Sequence, residues 1–129
     1  MLDVGESAQA TIEAKEKWND TGIELISGQE YHFTARGQWI DLTIECDTSG
    51  YASPNLLFRA TEWLRRSPRS RWFVLITAIN KDKHTQFEIG TDRTVVAPTS
   101  GILTCYANDI SFMYWNNHCS VELSVTRTR

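Results

Sequence analysis

Two-residue alternation of apolar and polar side chains is the feature that most narrows what this chain can fold into. In residues 31–36, Tyr31, Phe33 and Ala35 fall on one face of an extended chain, and His32, Thr34 and Arg36 on the other. That is the period of a half-buried strand. Residues 10–14 and 21–26 alternate in the same way. Ser27-Gly28-Gln29 separates 21–26 from 31–36, so these two segments are predicted to form a hairpin. Residues 40–45 are expected to continue as an irregular strand. Residues 72–79 are instead continuously apolar and rich in branched side chains, which predicts a strand covered on both faces. Segments 86–89, 94–97, 102–106 and 121–126 follow at short intervals, punctuated by Gly90, Pro98 and Gly101. About eight short strands separated by turns imply an all-β chain, a two-sheet sandwich or a barrel. Leu56, Leu57, Ala60, Trp63 and Leu64 recur at three- and four-residue spacing, which predicts one short amphipathic helix over 55–66, stopped by Pro68.

The 129 residues fit one domain, with residues 1–9 as a polar lead-in and 10–129 as the folded unit. A net charge of −3 provides no electrostatic reason to expect nucleic acid or an anionic membrane as partner. The longest apolar run is too short to cross a bilayer. The N-terminal residues lack a basic start and an apolar stretch, so the expectation is a cytoplasmic protein or one exported without a classical signal. Three cysteines, Cys46, Cys105 and Cys119, have no metal-binding spacing and are expected to be reduced and buried. A single Cys46–Cys119 or Cys105–Cys119 bridge is the alternative. Trp18, Trp39, Trp63 and Trp72 are expected in the core.

Chemistry concentrates in residues 108–117, between two strand segments. Asp109 brings a carboxylate, and Asn116 and Asn117 bring amide oxygens. A loop carbonyl such as that of Met113 adds another oxygen. Oxygen donors gathered on one loop suit a hard cation such as Ca2+, which takes six to eight of them, with water or sugar hydroxyls completing the set. The competing reading is an ordinary long hairpin loop, since Asn and Asp are common turn residues. Phe112, Tyr114 and Trp115 either form a platform for the apolar face of a sugar or tuck under the sandwich. Trp115 is the ring expected to be exposed.

The chain resembles the PA-IL family of bacterial calcium-dependent galactose-binding lectins. The likeness is carried by residues 18–23, 28–31, 37–41, 72–79 and 101–103, by Asn108-Asp109, and by Asn116-Asn117 seven positions beyond Asp109. It spans about residues 10–126 and is most specific at its last segment. It implies a jelly-roll-like, galactose-binding-like β-sandwich with calcium at one end. Asp109, Asn116 and Asn117 would be side-chain ligands and Met113 a carbonyl ligand. A further carbonyl would come from Asp41 or Leu42. The vicinal hydroxyls of a galactoside or related sugar would complete the metal shell, and Asp109 and Asn116 would also hydrogen-bond that sugar. It also suggests a homo-oligomer, since single sugar sites are weak and multivalency raises avidity. Two departures stand out. Residues 47–58 lack the His and Gln that grip the sugar edge in that family, and the metal loop lacks its Pro-Gly pair.

The departures motivate a second reading, a non-catalytic structural or interaction sandwich that has lost the sugar site. A third, a hydrolase built on Asp41 and Asp109, uses an acid pair that the calcium reading also employs, and no other catalytic motif is present. The expectation is therefore a binding protein without catalysis. His118 is expected to be a solvated strand start, and His32 and His84 have no assigned role. Arg65, Arg66, Arg69 and Arg71 form the densest basic group and are expected to be a solvated helix end, with docking of an acidic partner or phosphate as the alternative.

Overall fold

β11 (Ser120–Arg127) runs between β1 (Ser7–Glu13) and β3 (Glu30–Arg36), antiparallel to both, and β8 (Asp92–Val96) extends the sheet beyond β3. This computed structural model describes all residues, Met1–Arg129. The register follows from side-chain alternation. Leu123 lies opposite Ala10 on one side and Ala35 on the other, and Val125 lies opposite Ala8 and Phe33. A one-residue slip would turn these side chains to the opposite face, so burial fixes the pairing.

The second sheet has the order β2 (Asn19–Leu25), β9 (Gly101–Ala107), β6 (Leu75–Ile79), β7 (Asp82–Glu88). The two sheets enclose Ile12, Leu25, Tyr31, Phe33, Leu75, Leu103, Leu123 and Val125, all essentially inaccessible. The fold is thus a mostly β two-sheet sandwich with one short helix, the first of the two architectures that the alternation allowed and the one the resemblance implied. Every residue of β6 is buried. Its outward-facing Ile76, with Val74 and Tyr106, forms a second apolar cluster against Trp18. Each large aliphatic side chain buried there contributes about 2 kcal/mol.

A three-stranded ribbon closes one end. β4 (Trp39–Asp41) pairs with β5 (Ile44–Cys46) on one side and with β10 (Asn117–His118) on the other. Residues 40–45, expected as one strand, therefore fold into a tight hairpin instead. Leu42 at its tip adopts φ 60°, and its N–H donates to the Asn116 carbonyl (3.1 Å). Beside this ribbon Gly50 (φ 74°) lies so close to residues 72–74 that a Cβ would come within 2.2 Å of the Trp72 carbonyl. The next N–H, of Tyr51, donates to that same carbonyl (2.9 Å).

Several expectations fail for physical reasons. The 21–26 and 31–36 segments do not pair: β2 bonds to β9 and β3 to β11 and β8, so residues 26–29 cross between sheets. Turn residues mark a reversal but do not choose the partner. The helix is α1 (Leu56–Ala60), capped by the Asn55 side chain on the Phe58 N–H, and a separate 3-10 turn, Glu62–Leu64, follows. Neither piece buries a residue fully, so Leu56, Leu57 and Trp63 are exposed and Trp63 is not core. Trp18 is half-buried, whereas Trp39 and Trp72 are core residues. β1 begins at Ser7, inside the segment read as lead-in. All three cysteines are free; Cys105 is buried, but Cys119 is exposed at a left-handed residue (φ 71°) joining β10 to β11.

Candidate functional site

Asn108 is the scaffold of the loop between β9 and β10. Its side-chain carbonyl accepts from the Ser67 N–H (2.9 Å), and its amide donates to the carbonyls of Ser67 (2.9 Å), Ser70 (3.1 Å) and Arg71 (2.8 Å). Those bonds clamp the 67–71 turn against the loop. The Arg66 N–H adds a bond to the Asp109 carbonyl (3.0 Å). Further along, the Met113 N–H donates to the Ile110 carbonyl (2.9 Å), and a 3-10 turn, Tyr114–Asn116, leads into β10. Tyr114 pins that turn. Its ring is buried and its hydroxyl donates to the Ala107 carbonyl.

The pinned loop brings Asp109 and Asn116 to a cleft of about 270 Å³ that Asp41 and Leu42 line from the ribbon. Asp41 lies directly opposite Asn117 in the β4–β10 pair. The carboxylate of Asp41 accepts from the Tyr51 hydroxyl. Asp109 accepts at Oδ1 from the Ile110 N–H (2.7 Å), and its Oδ2 has no partner. Asn117 donates its amide N–H to the Ala14 carbonyl (3.1 Å), which leaves its oxygen unpaired. The Asn116 oxygen is unpaired too. Six buried side-chain polar atoms lack a protein partner, and three of them are these oxygens, all acceptors. A buried acceptor without a donor costs about 1–3 kcal/mol, so three together on one loop call for a common partner from outside.

Electrostatics point the same way. Burial, with the Asp41 charge adding to it and the Ile110 N–H and the nearby Asn117 amide opposing it, pushes the Asp109 carboxyl up to about 7. The Asn117 amide hydrogen bonds to Ala14, so it leaves Asp109 Oδ2 unpaired. Burial also raises Asp41, partly offset by the Tyr51 hydroxyl. Two desolvated carboxylates facing one cleft repel each other, and a divalent cation removes both penalties. The chemistry of the donor set fits a hard cation: two acids and two amides, all oxygen, with Leu42 and Met113 also lining the cleft. Asn117 does not line the cleft itself. It lines a shallower recess behind it, with His118 and Cys119.

The cleft's other wall is apolar. Leu57, Phe58 and Thr61 of the helical segment, Leu64, Trp72, Ile110 and Phe112 complete it. Phe58 packs edge-on against Trp72 (5.3 Å between centroids), and the Arg65 guanidinium also stacks on the Trp72 ring (4.9 Å). Phe112, Leu57 and Leu42 remain largely exposed at the mouth. Of the three loop aromatics read as a sugar platform, only Phe112 lines the cleft. Tyr114 faces inward and is unavailable, and Trp115 is 76% exposed but stands outside the cleft. His118 is exposed, as expected.

Sequence reasoning placed Asp41 and Asp109 at one end of the sandwich but gave Asp41 only a main-chain part in metal binding, and it missed Tyr51, Arg65 and Arg66. Asp41 enters with its carboxylate, not only through its main chain; the signal was its position two residues from buried Trp39 on a strand, where side chains alternate. Tyr51, which orients it, had no visible signature. Arg65 and Arg66, expected to be solvated, are instead packed on aromatic rings, Arg66 over Tyr106 at 3.6 Å.

No protein-family model matches the chain, and no curated protein matches it. Among solved structures it is similar to one described as the EclA N-terminal domain, a PllA-like lectin, at 17% identity. That superposition has a TM-score of 0.68 and covers 92% of this chain and 94% of the other. At this identity the likeness establishes a shared fold over nearly the whole chain: a lectin-like β-sandwich.

Proposed function

We propose that the chain is a carbohydrate-binding domain in which Ca2+, held at the loop end of the sandwich, links protein oxygens to sugar hydroxyls. The single observation that carries this reading is the set of three buried, unpartnered acceptors, Asp109 Oδ2, Asn116 Oδ1 and Asn117 Oδ1. Asp109, Asn116, Asn117 and Asp41 would hold the ion, with carbonyls from Asp41 or Leu42 and from Met113. Bound calcium supplies a positive centre that accepts vicinal hydroxyl oxygens in place of water. The chain's own residues do the rest. Asp109 and Asn116, which line the cleft, orient those hydroxyls by hydrogen bonds, and Phe112 and Phe58 receive the apolar face of the ligand.

The sugar is galactose or a related one. Where the lectins it resembles use a His and a Gln, this chain has the apolar helix wall of Leu57, Phe58 and Thr61, so its preference within that class follows a different contact set. The test is calorimetric. Calcium titrated into chelator-treated protein should release or absorb heat and raise the melting temperature, and binding on a glycan array should disappear with chelator. A protein indifferent to millimolar calcium, with no chelator-sensitive glycan, is a structural or interaction sandwich instead.

A further inference from the structure

Arg66 is held on the reverse side of the same loop, in a setting the calcium reading does not use. Its guanidinium lies 3.6 Å from the centre of the Tyr106 ring, 4.7 Å from Trp18 and 5.4 Å from Tyr114. Nη1 donates to the Lys17 carbonyl and to the Tyr114 hydroxyl (3.0 Å), and Nη2 and Nε have no protein acceptor. Arg66 touches no acid: the chain's one Arg–carboxylate pair is Glu30–Arg129, and the remaining base–acid contact is the His32–Asp92 hydrogen bond. A fixed cation with free donors and no counter-ion is a pre-formed anion contact.

Around it is a concavity of about 320 Å³. Lys81 and Lys83, on the turn into β7 and on β7 itself, contribute two more cations, and no acid lines it. Asp82, between the lysines, is engaged with the His84 N–H (2.9 Å). Gln86 accepts from the Tyr106 hydroxyl (3.0 Å), so its amide hydrogens are free to donate. Three cations at one concavity are unexpected by charge alone in a chain with a net charge of −3. The concavity also abuts the cleft. Ser111 lines it, whereas the flanking Ile110 and Phe112 line the cleft.

We propose that this concavity binds the anionic group, a carboxylate or sulfate ester, of an acidic glycan whose adjoining sugar occupies the cleft. This rests on the glycan-binding reading above. Arg66 and the two lysines neutralise the anion, Gln86 and Ser111 donate hydrogen bonds, and the half-buried Trp18 ring offers a stacking edge. Charge pairing of this exposed kind weakens with salt.

The test follows backbone and indole NMR signals of Trp18, Lys83 and Ser111. Galactose 6-sulfate and glucuronic acid, titrated into calcium-depleted protein from which the chelator has been dialysed away, should shift those signals, and galactose should not. The double variant Lys81→Asn, Lys83→Glu keeps a residue tolerant of positive φ at 81 and should abolish the shifts. With calcium present, sulfated glycans should bind about tenfold tighter than their neutral parents, and the variant should erase that difference while leaving neutral glycans unaffected. Loss of calcium-dependent binding with the calcium-free shifts intact would fault the cation site alone. Shifts that are absent, that survive the double variant, or that inorganic sulfate reproduces in full would overturn the proposal.

Discussion

Asn108 and Asn117 are both buried amides at the two ends of one loop, and they use their hydrogen-bonding capacity in opposite ways. Asn108 is saturated: one bond accepted and three donated, all to the 67–71 turn. Asn117 bonds only through its N–H and turns an unpaired oxygen inward, as Asn116 and Asp109 do. The saturated end builds the loop. The unsaturated end is costly to the folded chain, which is what supports the cation site proposed for it. The contrast separates residues that hold a site in shape from residues that act in it, although both are equally buried.

The largest effect should come from the scaffold. Asn108→Ala strands several main-chain groups and should cost roughly 3 kcal/mol or more in urea unfolding, with no rescue by calcium. Asp109→Asn should do the reverse. It retains an acceptor for the Ile110 N–H but removes a buried charge, so the metal-free protein at pH 8 should gain on the order of 2 kcal/mol while the calcium heat vanishes. A loss of stability in this variant would erase the distinction between the two ends.

pH sharpens the same comparison. The Asp109 carboxyl is raised to about 7 in the folded chain, above its unfolded value of 3.8. Between those values the folded state holds more protons than the unfolded one. Its contribution to stability therefore falls as pH rises from about 4 to about 7. Denaturation midpoints of the metal-free protein should show this slope, and Asp109→Asn should flatten it. Saturating calcium should cancel the slope, because the cation displaces the proton and favours the ionised form. The smallest effect concerns the aromatics. Phe112→Ala should weaken glycan binding by about 1 kcal/mol, and Trp115→Ala, outside the cleft, by much less. Equal losses would shift the ligand's position towards Trp115.

Much of the sandwich was legible because burial on one face leaves a written pattern. Tyr31, Phe33 and Ala35 point inward as alternation required, and the apolar run 72–79 became a strand covered on both sides over Leu75–Ile79 only, because Phe73 (φ 61°) turns the backbone before it. Pairing was not legible, since β2 and β3 have similar patterns yet belong to different sheets, and nothing local distinguishes a hairpin turn from a sheet-to-sheet crossing. The helical spacing at 55–66 was realised only over Leu56–Ala60, and of its apolar stripe Leu57 and Leu64 line the cleft, whereas Leu56 and Trp63 are exposed outside it. Within the candidate site, residue type alone flagged Asp109, Asn116 and Asn117. The roles of Tyr51 and Arg66 depend on contacts from distant segments that leave no periodic trace.

Gly50 adds a vulnerability far from any donor oxygen. It lets the chain pass the Trp72 carbonyl at a separation no side chain could share, and Tyr51, the next residue, extends from there to Asp41. A methyl group at position 50 is therefore expected to displace that tyrosine and unseat its hydroxyl from Asp41, disturbing the acidic side of the cleft from a residue that has no side chain.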